Sequence, residues 1–137
     1  MKRFVFAFFV FCSSLAFGQK AKVVQEILTL SRTQEKVKAA AGSIIQNMQK
    51  QRPQVSAQKW QKISAAINYT SFMNKMASIY ETNYTLEELN QMVTLLKKGD
   101  ASGFQLMAKR IEGPSYSVGK EFGKSIQALI EKETSKP

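Results

Sequence analysis

The sequence predicts an all-α fold, a single compact bundle of about five to six helices around one long central helix. Apolar residues recur at three- and four-residue spacings along most of the chain, and no run of alternating β-branched residues predicts a strand. Helix-starting and helix-ending residues separate the periodic segments at short intervals. Because short loops make sequential helices neighbours in space, we expect these helices to pack as one bundle.

The first eighteen residues are predicted to be a signal peptide that precedes this bundle. A basic start is followed by the apolar run 4–11, and small residues then lead up to Gly18. This pattern predicts cleavage between Gly18 and Gln19. The apolar run is too short to span a membrane, so we expect an exported protein, periplasmic or fully secreted, whose single domain covers residues 19–137.

The first two predicted helices are amphipathic. The first carries Val23, Val24, Ile27 and Leu28 and ends near Arg32. Thr33 is predicted to cap the second helix, and Pro53 is predicted to end it because proline disfavours helical backbone in the residue before it. The apolar stripe of the second helix comprises Val37, Ala40, Ala41, Ile44, Ile45 and Met48.

The third predicted helix is the long central one, and it presents two nearly opposite apolar faces. Ser56 is predicted to cap it, with Val55 and Trp60 spaced as a hydrophobic staple. The face changes near residues 68–71, where either the helix breaks or it continues from one neighbour to another. Because no glycine or proline interrupts it, we favour one continuous helix.

These two faces are expected to pack in the core, or to form an apolar groove for a lipid tail or a partner helix if one of them is left uncovered. The candidate groove residues are Trp60, Ile63, Ile67, Tyr69, Phe72, Met73, Met76 and Tyr80.

The next helix has a complete start and stop signal. Thr85 and Glu88 have the spacing of a capping box, and Lys97 and Gly99 suit a helix end. A short fifth helix then ends at a Gly-Pro pair, residues 113 and 114, and a last helix completes the bundle.

Positive charge is concentrated in the first half of the predicted domain. Residues 19–75 carry ten Lys/Arg and two Glu, a net charge of +8, whereas residues 76–137 carry eight charges of each sign. A basic half predicts an anionic partner such as a membrane surface or an envelope polymer, and the alternative is a solvated lysine-rich surface. The candidate patch for an anionic partner comprises Lys36, Lys38, Lys50, Arg52, Lys59 and Lys62.

The residue types that carry most enzymatic chemistry are missing. The chain has no histidine, and its one cysteine, Cys12, lies in the predicted signal peptide. A serine nucleophile therefore has no imidazole base, and a zinc ion would have only carboxylate ligands. We expect no catalytic residue, no cofactor and no metal site.

Two local patterns suggest chemistry but have structural explanations. Gly119 to Ser125 has three residues between its glycines where a phosphate-binding loop needs four, and the segment is predicted to be helical. We predict instead that Gly119 and Gly123 let another helix approach closely. Glu87 and Glu88 are adjacent, so on a helix they point about 100° apart and cannot face each other across a scissile bond.

Tyr80 and the run Tyr-Thr-Leu-Glu-Glu-Leu at residues 84–89, after a signal peptide and three helices, resemble the bacterial domain of unknown function 2059 family. The resemblance covers about residues 65–112. It implies a small exported all-helical protein with an aromatic-rich central helix, and it brings no established activity. The chain departs from the family pattern at Leu95 and Leu96, where the family commonly has an aromatic pair.

The leading hypothesis is a non-enzymatic, exported helical module of the bacterial cell envelope that binds an apolar or anionic partner. That partner would be a protein, a lipid or an envelope polymer, and nucleic acid is not favoured. The alternative is an envelope hydrolase of unfamiliar type that uses Glu87 or Glu88 with Tyr80 or Tyr84. A subunit that oligomerises through an uncovered face is a third possibility.

Overall fold

The computed structural model describes residues 17–135, which form seven α-helices and no strand. The all-α prediction is therefore confirmed. The predicted signal peptide lies outside the described residues except for Phe17 and Gly18, which belong to the first helix. The helices are α1 (17–30), α2 (Thr33–Gln51), α3 (Ala57–Ala65), α4 (Tyr69–Asn83), α5 (Leu86–Lys97), α6 (Ala101–Ala108) and α7 (Glu112–Thr134), with one 3₁₀ turn at Lys109–Ile111.

The predicted long central helix is wrong, because the chain leaves helical geometry between α3 and α4. Ala66 ends α3, and the Asn68 side chain accepts a hydrogen bond from the backbone N–H of Ser71 at 2.9 Å. Asparagine competes with the helix by bonding to nearby backbone in this way, which favours a new helix start. Ile67 lies between the two helices and is buried. The break explains why the apolar faces on its two sides differ.

The chain groups into two compact units, each assembled from separated parts of the chain, and the boundary at residues 76 and 77 divides α4 between them. Unit 1 is described over residues 17–31 and Ala77–Glu112, and unit 2 over Arg32–Met76 and residues 113–135. The prediction of one domain over residues 19–137 stays a prediction.

Unit 2 is built around a continuous apolar core to which α2, α3 and α7 contribute. Ser56 caps α3 by accepting a hydrogen bond from the backbone N–H of Lys59 at 3.3 Å, as predicted. The helix before it ends at Gln51, two residues before Pro53. The buried members of the core are Ala41, Ile45, Trp60, Ile63, Ile67, Ile126 and Ile130.

Unit 1 has its own buried apolar residues and confirms the predicted capping box at the start of α5. The Glu88 N–H donates to Thr85 Oγ1 at 3.2 Å, and the Thr85 N–H donates to Glu88 Oε2 at 2.8 Å. Gly99 follows α5 with φ 73°, a conformation that glycine adopts without steric cost. The buried apolar side chains of unit 1 include Val24, Ile27, Leu28, Tyr80, Tyr84, Leu89, Met92, Val93 and Ile111.

Two predicted helix boundaries need correction. Thr33 does not cap α2, because Arg32 occupies the N-cap position with φ 55° and Thr33 is the first helical residue. The Gly-Pro pair at residues 113 and 114 lies in the first turn of α7 and not between helices. Proline is tolerated there because the first backbone N–H groups of a helix have no intrahelical acceptor.

Candidate functional site

Unit 2 carries most of the excess positive charge of the protein. Residues 32–76 and 113–137 contain twelve Lys/Arg and four Glu, a net charge of +8. Among these carboxylates, Glu121 pairs with Lys75 at 2.6 Å, and Glu131 pairs with Arg52. Cations outnumber carboxylates three to one, so unit 2 presents a strongly basic surface whatever its remaining local contacts are.

The six cations predicted to bind an anionic partner lie on and around α2 and α3. Lys36, Lys38 and Lys50 are on α2, and Lys59 and Lys62 are on α3. Helical geometry places Lys36 and Lys50 about 40° apart around α2 but about 21 Å apart along it. The Lys38 ammonium lies on another side of α2, 5.8 Å from the centre of the Tyr69 ring. The predicted cations therefore surround this pair of helices and do not converge on one point.

Arg52 is engaged in contacts within unit 2. Its guanidinium pairs with Glu131 and donates a hydrogen bond to Thr134 Oγ1 at 2.6 Å, and only 25% of its side chain is exposed. Both partners lie near the end of α7, so Arg52 joins the end of α2 to the end of α7. These contacts give Arg52 a structural role, and its place in a patch for an anionic partner stays a prediction.

An apolar groove lies between α2, α4 and α7, and Lys36 is part of its lining. We call it the α2–α4–α7 groove. Its volume is about 300 Å³, at the lower end of the range of small-molecule sites. The lining residues are Thr33, Lys36, Val37, Ala40, Ile44, Phe72, Gly119, Phe122 and Gly123.

The two glycines of α7 face open space in this groove. A methyl group placed on either Gly119 or Gly123 would meet no atom within 4 Å apart from its chain neighbours and the backbone of its own helix. The prediction that these glycines let another helix approach closely is therefore wrong for the residues that the structure describes. Their missing side chains instead leave the groove open along one wall.

Two phenylalanines contribute the aromatic part of the groove. The ring centres of Phe72 and Phe122 are 5.0 Å apart with the planes inclined by 55°, a geometry that aromatic pairs favour. The Tyr69 ring packs on the same Phe122 at 5.9 Å. Because Phe122 contacts both rings, α4 holds it in position on α7.

Of the eight residues predicted to form a partner groove, Phe72 alone lines this one. Trp60, Ile63 and Ile67 are core residues of unit 2. Met76 and Tyr80 are also buried, whereas Tyr69 and Met73 are half-buried.

Sequence reasoning missed the α2 and α7 walls of the groove. The apolar stripe of α2 and the paired glycines of α7 were both visible in the sequence. That these two features lie next to each other depends on tertiary packing, so it was not visible in the sequence.

A second, more polar cavity of about 260 Å³ also borders Phe72 and Phe122. The Lys75–Glu121 ion pair lies in its lining and lowers the pKa of the Glu121 carboxyl, chiefly through the hydrogen bond from Lys75. Its remaining lining residues are Asn68, Ser71, Val118 and Ser125.

The residues that the hydrolase alternative requires lie in unit 1. There Glu88 forms a helix cap and an ion pair. Besides its capping hydrogen bond, the Glu88 carboxylate accepts two hydrogen bonds from the Arg110 guanidinium, at 2.8 and 3.1 Å. Arg110 and the Thr85 N–H together lower the pKa of Glu88 to about 2. A carboxyl with this pKa is ionised at neutral pH and is a poor proton donor.

The two tyrosines of that alternative are also poor candidates for acid–base chemistry near neutral pH. Burial, with a smaller effect of Tyr84, raises the pKa of Tyr80 to about 12. Burial likewise raises the pKa of Tyr84, against the opposing effect of the nearby Arg110 guanidinium. The Tyr84 hydroxyl donates to the Met107 carbonyl oxygen at 2.6 Å, so it is already occupied.

Within residues 17–135, no cluster of His, Cys, Asp or Glu has the arrangement of a metal site. Over the same residues, no helix combines the length and apolar character that a membrane span requires. The resemblance to the domain of unknown function 2059 family stays a prediction. No family model, no curated protein and no solved structure matches the chain.

Proposed function

We propose that this protein is a non-enzymatic, exported helical module of the bacterial cell envelope that binds an anionic lipid surface through unit 2. The observation that carries the proposal is the charge of unit 2, twelve Lys/Arg against four Glu. Each lysine near an anionic lipid surface contributes about 1 kcal/mol of binding free energy, so several exposed lysines would suffice for reversible attachment.

The position of the groove favours a lipid over a soluble polymer as the partner. Lys36 lies in the lining of an otherwise largely apolar groove, so a cation and an apolar surface are adjacent in unit 2. An anionic lipid has both a negative headgroup for the cation and a hydrocarbon chain for the apolar surface, whereas an anionic polymer has only the negative charge. The hydrolase alternative has no comparable support, because Glu88 and Tyr84 are engaged in contacts within unit 1.

Binding to vesicles of phosphatidylglycerol and phosphatidylcholine tests the proposal. We expect the protein to bind vesicles that contain the anionic lipid at low salt, and to dissociate as salt shortens the screening length from about 30 Å at 0.01 M to about 3 Å at 1 M. Vesicles of phosphatidylcholine alone should bind weakly at either salt concentration. An anionic polysaccharide added as competitor distinguishes a lipid surface from a polymer partner.

Variants that remove charge test which unit is responsible for vesicle binding. The double substitution Lys50→Gln with Lys62→Gln removes two exposed cations of unit 2 and should weaken vesicle binding by about thirtyfold. The matched control, Lys22→Gln with Lys98→Gln, removes two exposed cations of unit 1 and should weaken it less than about threefold. Equal effects of the two doubles, or vesicle binding that salt does not change, would contradict the proposal.

A further inference from the structure

We propose that the α2–α4–α7 groove binds the hydrocarbon chain of a medium-chain fatty acid, with the carboxylate of the ligand at the Lys36 end. This inference rests on the proposed function, which assigns an anionic partner to unit 2. It adds a separate binding mode, in which one lipid molecule leaves the surface and enters the protein.

The lining of the groove suits a single hydrocarbon chain. Val37, Ala40 and Ile44 form the α2 wall, and Phe72 and Phe122 form the aromatic part. From Thr33 to Ile44 the groove follows about 16 Å of α2, which makes it long relative to its volume of about 300 Å³. That shape accommodates one extended chain and is too small for a lipid with two chains.

The charges around the groove set the orientation of the ligand. Among the residues that the structure describes, Lys36 is the one charged residue of the groove lining, and it lies one turn from the start of α2. The positive end of the α2 dipole adds to the attraction for a carboxylate there. Two carboxylates on the same helices face elsewhere: Glu35 is about 155° from the lining residues around α2, and Glu121 pairs with Lys75 in the other cavity.

The open wall formed by Gly119 and Gly123 provides a way to fill the groove without damaging the fold. Since a Cβ added at Gly123 would meet no atom beyond its chain neighbours and the backbone of its own helix within 4 Å, Gly123→Leu should place its side chain in the groove. Leucine also favours the helix more than glycine does, so the melting temperature of this variant should not fall.

Isothermal titration of the purified full chain with dodecanoate, kept below its critical micelle concentration, tests the inference. We expect saturable binding of one dodecanoate per chain, and at least a tenfold higher Kd for Gly123→Leu. The matched control is Gly42→Leu, because Gly42 is an exposed helical glycine with open space beside it and lies on the opposite face of α2 from the groove. This control should bind dodecanoate as the wild type does.

A second pair of variants tests the orientation. Lys36→Gln should raise the Kd for dodecanoate by about threefold to fivefold, as expected for an exposed ion pair. Lys132→Gln removes the same charge from an exposed position on α7 outside the groove lining and should leave the Kd unchanged. Dodecanol, which has the same chain without the charge, should bind wild type and Lys36→Gln equally.

Each contrary outcome overturns a stated part of the inference. Absence of dodecanoate binding, or equal binding by wild type and Gly123→Leu, would show that the groove is not the site. Self-association of the wild type that Gly123→Leu abolishes would assign the groove to a second copy of the chain and overturn the proposal. Vesicle binding that persists in Gly123→Leu while dodecanoate binding is absent in the wild type would overturn this inference and leave the proposed function standing.

Discussion

The two units of this protein use charge in different ways. Described residues 17–31 and 77–112 of unit 1 contain six Lys/Arg and six Asp/Glu, whereas described residues 32–76 and 113–135 of unit 2 contain eleven Lys/Arg and four Glu. Unit 1 joins opposite charges across its own segments: Lys97 pairs with Glu26 at 2.6 Å, and Arg110 pairs with Glu88 at 2.8 Å. Unit 2 also joins separated segments in this way, through Arg52 with Glu131 and Lys75 with Glu121 at 2.6 Å, but its four carboxylates cannot balance its cations. The two units therefore differ in net charge: unit 1 is balanced, and unit 2 is strongly basic.

The polar groups around Tyr84 form a linked set of contacts within unit 1. The Arg110 guanidinium lies 4.7 Å from the centre of the Tyr84 ring, pairs with Glu88, and donates to the Asn83 carbonyl oxygen at 2.8 Å. The Tyr84 hydroxyl reaches the Met107 carbonyl oxygen. These contacts join the end of α4, the start of α5 and the chain after α6.

The largest expected difference in stability between corresponding variants of the two units is at Tyr84. Tyr84→Phe removes the hydrogen bond to the Met107 carbonyl and should lower the free energy of unfolding by about 1–2 kcal/mol. The matched control is Tyr116→Phe in unit 2, whose ring is 71% exposed and whose substitution should change stability by less than about 0.5 kcal/mol. Urea unfolding of both variants measures the difference, and equal stability of the two would contradict it.

The helix caps of the two units provide a smaller contrast. Thr85→Ala breaks a reciprocal capping box and should cost about 1 kcal/mol, whereas Ser56→Ala removes one longer hydrogen bond and should cost about 0.5 kcal/mol. Thermal unfolding followed by circular dichroism should show a melting temperature lower by a few degrees for Thr85→Ala, and a smaller decrease for Ser56→Ala. An unchanged melting temperature for Thr85→Ala would mean that the box contributes nothing.

The smallest expected effect is a dependence on pH that originates in unit 1. Because the folded protein lowers the pKa of Glu88 from its ordinary 4.5 to about 2, the stability from this carboxylate is complete above pH 4.5 and is lost as pH falls towards 2. The difference in melting temperature between wild type and Glu88→Gln should therefore be largest near pH 7 and shrink below pH 4.5. A difference that stays constant from pH 7 to pH 3 would show that the ion pair with Arg110 does not stabilise the fold.

The parts of the fold that were predictable from the sequence depend on neighbouring residues. The capping box at Thr85 and Glu88, the Ser56 cap and the effect of Pro53 all act within a few residues, so their spacing alone identifies them. The break after Ala65 was missed because no glycine or proline marks it. Burial of Ile67 and the Asn68 cap, which accompany the break, become visible only in the folded chain.

The candidate site was less predictable because it depends on residues far apart in the chain. Arg52 appeared to be a surface cation, yet its partner Glu131 is 79 residues away. The glycines at 119 and 123 have a spacing that is equally compatible with a close helix contact and with an open wall. Only the positions of α2 and α4 in unit 2 distinguish those outcomes. Periodicity identified which faces are apolar, but not which of them another helix covers.

Hydrogen exchange in the presence of phosphatidylglycerol vesicles tests most directly whether the two units differ in function as they do in charge. We predict slower exchange in α2 and α3 of unit 2 when vesicles are added at low salt, with unchanged exchange in α5 and α6 of unit 1. High salt should abolish the protection. Protection confined to α5 and α6, or no protection in either unit, would contradict the account.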